Sequence, residues 1–167
     1  MSTIRFKEVQ RFDQIWLWVV LILTGIPAHF ALVYQVILNT PIGQAPVSDS
    51  LCIIFSAFHI IITIFLLIIK LDVEISSRFI SYQFFPFHLK RKKYPLGQVH
   101  SAFIREYHPI KEMSALGLKL GQHSKAYNIK GYWGVQLEFR GGRQLLLGTQ
   151  KPEEFDAVLK ELHIPEE

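Results

Sequence analysis

The sequence predicts a membrane α-helical hairpin joined to an all-β barrel or sandwich that is closed by one C-terminal helix. Three observations carry this fold class. No lysine or arginine occurs between Arg11 and Lys70, and two long apolar runs, Ile15 to Leu38 and Leu51 to Ile69, fill that gap. Beyond Lys70 the apolar residues alternate with polar ones, the period of a strand with one buried face. The chain then ends on a helical period, with Phe155, Val158, Leu159 and Leu162 on one face.

Each apolar run matches or exceeds the roughly 20 residues that a helix needs to cross about 30 Å of hydrocarbon, and neither contains a formal charge. Half of the residues are hydrophobic and mean hydropathy is +0.23, an average over two parts of different character. Trp16, Trp18 and Tyr34 lie toward the ends of the first run, where amphipathic rings favour the headgroup level. Gly25 and Pro27 fall near its middle, where proline removes a helical hydrogen bond and predicts a kink. Pro41, Gly43 and Pro46 supply turn residues to the short connection. A cleaved signal peptide would share the basic start. The apolar part is too long for one, and Ala28-His29-Phe30 offers no small-x-small cleavage pattern.

Basic residues set the orientation. Arg5, Lys7 and Arg11 precede the first run, the connection carries only Asp49, and every remaining lysine and arginine follows from Lys70 onward. Positive-inside logic puts both termini in the cytoplasm. The expected organisation is an N-terminal cytoplasmic segment over 1–13, a transmembrane hairpin over 14–70 and a cytoplasmic domain over 71–167. A pI near 9.2 is then read as cytoplasmic-side bias, and nucleic acid is not an expected partner. The single cysteine, Cys52, rules out an internal disulfide and a thiolate metal cluster.

Counted from the cytoplasmic ends, His29 and His59 lie at nearly the same depth on helices running in opposite directions. Polar groups are costly in hydrocarbon, so the pair raises intramembrane proton transfer or bis-histidine haem ligation as functions. The favoured reading is a hydrogen bond that holds the helices together, with Thr24, Ser56, Thr63 or a backbone carbonyl as further partners.

Strands are expected over Leu71 to Ile75, Phe79 to Phe85 and Val99 to Tyr107, more weakly over Leu116 to Leu120 and Ala126 to Lys130, and then over Val135 to Phe139 and Leu145 to Leu147. Gly141 and Gly142 between the last two mark a tight hairpin rather than a phosphate loop, since no GxGxxG or P-loop spacing accompanies them. Pro152 suits the first helical position and Glu153 and Glu154 its positive end. About six or seven strands closed by one helix form a pleckstrin-homology-like (PH-like) arrangement.

Tyr107-His108-Pro109-Ile110-Lys111-Glu112, Lys125 to Gly131, Gly134-Val135-Gln136-Leu137-Glu138 and Leu147 to Glu154 resemble uncharacterised bacterial two-helix membrane proteins with a PH-like domain. The resemblance covers most of the chain and implies that fold, a bacterial inner-membrane location and no established activity. Ser114-Ala115-Leu116-Gly117-Leu118-Lys119 departs from the Gly-Gly-Trp-Gly-Ile-Arg-like stretch expected there, keeping only Gly117 and a basic Lys119.

The best local candidate for function is the aromatic and basic stretch Phe84 to Tyr94. Its four consecutive cations, Lys90, Arg91, Lys92 and Lys93, would each gain about 1 kcal/mol near anionic headgroups. The competing reading is a solvated hairpin loop with the phenylalanines in the core. Catalysis finds little support: His88, His100, His108, His123 and His163 show no metal-ligand or nucleophile spacing. A pocket joining His100 or His108 to Glu106, Glu112 or Glu138 with perturbed ionisation would reopen that class. The expected function is thus a non-enzymatic binding or scaffolding module without a cofactor. Its expected partners are membrane lipids, a peptide or membrane protein, or a second copy of the chain.

Overall fold

A computed structural model describes residues 3–44, 46–108, 118–121 and 124–165. The chain divides into two compact units, residues 12–68 and a second unit formed by residues 1–11 together with 69–167. The expected strand at Leu116 to Leu120 is only partly described, and the departure at Ser114 to Gly117 lies outside the described residues, as do Glu112 and His123.

The first unit is a helix hairpin. Helix α1 runs Ile15–Ala31 through Pro27 and continues as a π-helix over Leu32–Ile37, and α2 spans Asp49–Ile68. Both are long and apolar enough to cross a membrane. Their polarity is the reverse of a soluble helix pair. The buried positions are Leu21, Gly25, Gln35, Cys52 and Ser56, whereas Ile22, Leu23, Ile26, Phe30, Ile54, Phe55, Phe58 and Ile61 are exposed. Small and polar groups facing each other inside an apolar exterior is the arrangement that favours a lipid environment over water. At the connection, the Gln35 amide donates to Asp49 Oδ1 (2.8 Å) and to the Val47 carbonyl.

The second unit holds two sheets. In one, β1 (Ile4–Arg11), β2 (Lys70–Ser76), β3 (Phe79–Phe85) and β4 (Lys92–Pro95) run in that order, all antiparallel. The other has the order β5-β8-β9-β7-β6, built from β5 (Val99–Glu106), β6 (Leu118–Leu120), β7 (Ser124–Tyr127), β8 (Trp133–Phe139) and β9 (Gln144–Gly148). Here β7 and β9 pair in parallel, while the other ladders are antiparallel. Leu71, Val73, Ile75, Ile80, Tyr82 and Phe84 line the inner face of the first sheet. The second sheet meets them with Val135, Leu137, Leu147 and Tyr127, and the Tyr82 and Tyr127 rings lie 5.0 Å apart. Helix α3 (Pro152–Glu161) buries Phe155, Val158 and Leu159, with Phe155 4.6 Å from Phe6 of β1.

The N-terminal segment is the main correction. Expected as a separate piece over 1–13, it forms β1 and pairs along β2 from Ile4↔Ser76 to Arg11↔Lys70. The helix hairpin is therefore an insertion between two adjacent strands, and the folded unit does not begin at residue 71. Strand β7 also ends earlier than expected, at Tyr127, because Asn128 Oδ1 accepts from the Lys130 N–H and turns the chain at Gly131 (φ +86°).

Candidate functional site

Within the hairpin the two histidines touch. On α2, Cys52, Ser56, His59 and Thr63 recur at helical spacing, and on α1 Leu21, Gly25 and His29 do the same. His29 Nε2 lies 3.2 Å from His59 Nδ1, His29 Nδ1 is 2.5 Å from Ser56 Oγ, and His59 Nε2 is 2.9 Å from the Leu21 carbonyl. A carbonyl only accepts, so His59 carries its proton on Nε2 and accepts on Nδ1. His29 Nε2–H then donates to His59, and the Ser56 hydroxyl donates to His29 Nδ1. The result is a one-directional chain from Ser56 through both rings to a backbone oxygen. Gly25 makes room for it: a Cβ there would stand 2.5 Å from His59 Cε1 and 2.8 Å from Nε2. All four ring nitrogens are engaged, and the rings meet edge to face at 81°. That arrangement does not fit axial ligation of a haem by both histidines.

Strand geometry divides the basic run. Lys92 is paired with Tyr82 and Lys93 with Ser81. Since neighbouring residues of a strand face opposite ways, Lys92 and Tyr94 share the inner face with Tyr82, and Lys93 turns outward with Ser81. Arg91 is held on the outer side by Asp72 (2.7 Å) and Glu74 (3.3 Å), and Lys93 Nζ lies over the Phe79 ring. Only Lys90 and Lys93 of the four are exposed. Sequence adjacency therefore overstated the patch, and the pairing partner that splits it was not readable from the run itself.

The inner-facing lysine belongs to a cluster that sequence reasoning missed. Lys125 of β7 comes close enough for its charge to be felt at Lys92 of β4, and His88 feels both. The Phe84 N–H donates to His88 Nδ1 (3.4 Å), which leaves Nε2–H to donate to the Tyr127 hydroxyl (3.4 Å). Burial first, and then Lys92 and Lys125, hold the His88 imidazole below its ordinary pKa. Burial and Lys125 likewise lower Lys92. Between the sheets is a small cavity of about 60 Å³ whose lining includes Tyr82, Tyr94, Lys125 and Arg143. Tyr82 is fully buried, and its hydroxyl has no hydrogen-bond partner among the described residues. Burial, then the nearby Tyr127 and Tyr94, push its ionisation far above the ordinary range, so it remains an O–H donor. The only sequence signals were isolated tyrosines and lysines on three strands, whose convergence depends on how the sheets face.

The enzyme alternative meets one relevant feature. His100 and Glu138 line an open surface pocket of about 320 Å³ with Arg140 and Arg143. Glu138 is committed there to Ser101 Oγ (3.4 Å) and the Gln144 amide (2.9 Å). No group of three or more metal-ligating side chains occurs among the described residues. No protein-family model matches the chain, and no curated protein matches it.

Proposed function

We propose that the chain is a non-enzymatic, membrane-anchored binding module. The helix pair spans a bacterial inner membrane, and the PH-like two-sheet unit presents a binding surface to a cytoplasmic peptide, protein or anionic-lipid partner. One observation carries this reading. The hairpin leaves the sheet at Arg11 and returns at Lys70, two residues that are paired to each other across β1 and β2. Strand pairing of that kind requires both ends of the apolar segment on one side of a bilayer, which an even number of crossings supplies. Arg5, Lys7, Arg11 and Lys70 favour the cytoplasm as that side.

The histidine chain supports a structural lock between α1 and α2 rather than a proton path. It ends on the Leu21 carbonyl, which has no proton to pass onward.

Topology is tested in a Cys52→Ser background by single cysteines at Gln44, in the helix connection, and Gly97, in the two-sheet unit. A membrane-impermeant maleimide added to intact cells should label position 44 and spare 97; labelling of 97 would sink the orientation. Crosslinking from native membranes tests the module. Partners captured by the full chain should disappear with residues 12–68 alone, and partners that persist would move the function into the helices.

A further inference from the structure

The cluster between the sheets carries positive charge that no acid balances among the described residues. Four other cations of the unit have acidic partners: Arg5 with Glu161, Arg91 with Asp72 and Glu74, Lys151 with Glu154 and Lys160 with Asp156. Among the described residues Lys92, Lys125 and Arg143 have none; Arg143 instead stacks its guanidinium over Phe139, 5.9 Å from the ring centroid. Lys92 and Lys125 are part-buried and Arg143 stands at the rim. Like charges gathered in a cleft cost stability unless a counter-charge enters. The second observation is independent of charge. Tyr82 places a fully buried hydroxyl at the cavity, beside Tyr94 and Tyr127 but without a well-formed hydrogen bond among the described residues, and buried polar groups in folded proteins are nearly always satisfied. An oxygen acceptor with negative charge answers both demands at once. The cavity, about 60 Å³, has room for a compact group.

We propose that this cleft is a binding site for a phosphate group, with Lys125 in its wall and Lys92 beside Lys125 balancing its charge, the Arg143 guanidinium closing the rim, and the Tyr82 and Tyr94 hydroxyls donating to its oxygens. The assignment deepens the binding-module reading and rests on it. Phosphate arrives either as a soluble ion or ester or as a lipid headgroup, and the chemistry of the cleft is the same for both.

The test uses the full chain. In non-ionic detergent, inorganic phosphate is titrated against chloride at constant ionic strength while the ring resonance of His88, assigned with His88→Gln, is followed by NMR. An anion beside Lys92 and Lys125 relieves the repulsion on the imidazolium, so a saturable shift toward protonation is expected. Nanodiscs of phosphatidylcholine with and without phosphatidic acid then separate the sources. A shift with soluble phosphate that is unaltered by phosphatidic acid assigns a soluble ligand, and one confined to phosphatidic acid discs assigns a headgroup. Lys92→Gln with Lys125→Gln should weaken binding about tenfold or more, and the near-isosteric Tyr82→Phe, which spares the fold, about fivefold. Lys90→Gln with Lys93→Gln, outside the cleft, should change it less than about twofold. The site is overturned by absence of saturable binding in both arms. It is equally overturned if the outer lysine pair matters as much as the inner one, since that marks diffuse surface charge. Crosslinked partners retained by a chain that binds no phosphate would overturn the anion site alone and leave the module standing.

Discussion

Glu8 and Gln10 point inward from β1, at positions where a strand packed on a core ordinarily carries apolar side chains. Both are bonded by the end of β9 and the residues that follow it. The Glu8 carboxylate accepts from the Thr149 hydroxyl (2.6 Å), the Gln150 N–H (2.8 Å) and the Gln10 amide (3.1 Å), and Gln10 also donates to the Gly148 carbonyl (2.6 Å). Removing the acceptor leaves those donors buried and unpaired. Glu8→Ala should therefore cost about 2–4 kcal/mol, and Glu8→Gln, which keeps one oxygen, visibly less. Denaturant titration in detergent, followed by tryptophan fluorescence, measures both. His88 gives a pH dependence of known sign. Burial, Lys92 and Lys125 hold it below its ordinary 6.5, so the folded state resists a proton that the unfolded chain accepts. Stability should fall as pH drops below about 6.5 and level off once the folded imidazole is itself protonated. His88→Gln should flatten that part of the melting-temperature profile; an unchanged slope would place the acid sensitivity elsewhere.

Among the elements, the two helices and α3 were legible because each is written in one contiguous stretch of sequence. Depth counting also brought His29 and His59 to one level, since antiparallel helices share a fixed rise per residue. What it could not supply was Gly25, whose missing Cβ admits the His59 ring. Gly25→Ala should displace that ring and lower the melting temperature more than Ser56→Ala, which removes one interhelical hydrogen bond worth about 0.6 kcal/mol. Strand β1 was illegible for a different reason. Of its inward positions only Phe6 is apolar, with Glu8 and Gln10 also inward and Val9 outward, and its partner β2 lies beyond the whole hairpin. A period-two pattern identifies a strand only when the apolar set marks its buried face. The phosphate cleft was hidden similarly: Lys92 reads as one member of a basic run until its pairing with Tyr82 turns it inward. Deleting residues 1–11 tests the importance of β1. It removes Phe6 from Phe155 and opens the edge of β2, where Leu71, Val73 and Ile75 are buried. Loss of a cooperative melt is expected, and a chain starting at residue 71 should aggregate through that edge.

For the whole molecule, insertion of the hairpin between paired strands means that each unit can be altered without rewriting the other's sequence. Arg11 and Lys70 face each other in the ladder, as do Gln10 and Leu71. The gap that residues 12–69 bridge is therefore one that a short β-hairpin loop closes. A turn of the Asn-Gly type matches the right-handed twist of antiparallel strands and fixes their register. Replacing residues 12–69 with such a turn should give a water-soluble protein that retains β1, both sheets and α3. It should also melt cooperatively, because the Glu8 contacts to Thr149 and Gln150 and the Phe6 contact to Phe155 all lie within that unit. The shorter loop lowers the entropy lost on pairing β1 with β2, so stability should equal or exceed that of the parent unit. Circular dichroism and amide exchange on the soluble protein decide this. Protection along β1 is the expected outcome, and an exchanging, unpaired N-terminus would show that the hairpin is needed to hold the first strand in place.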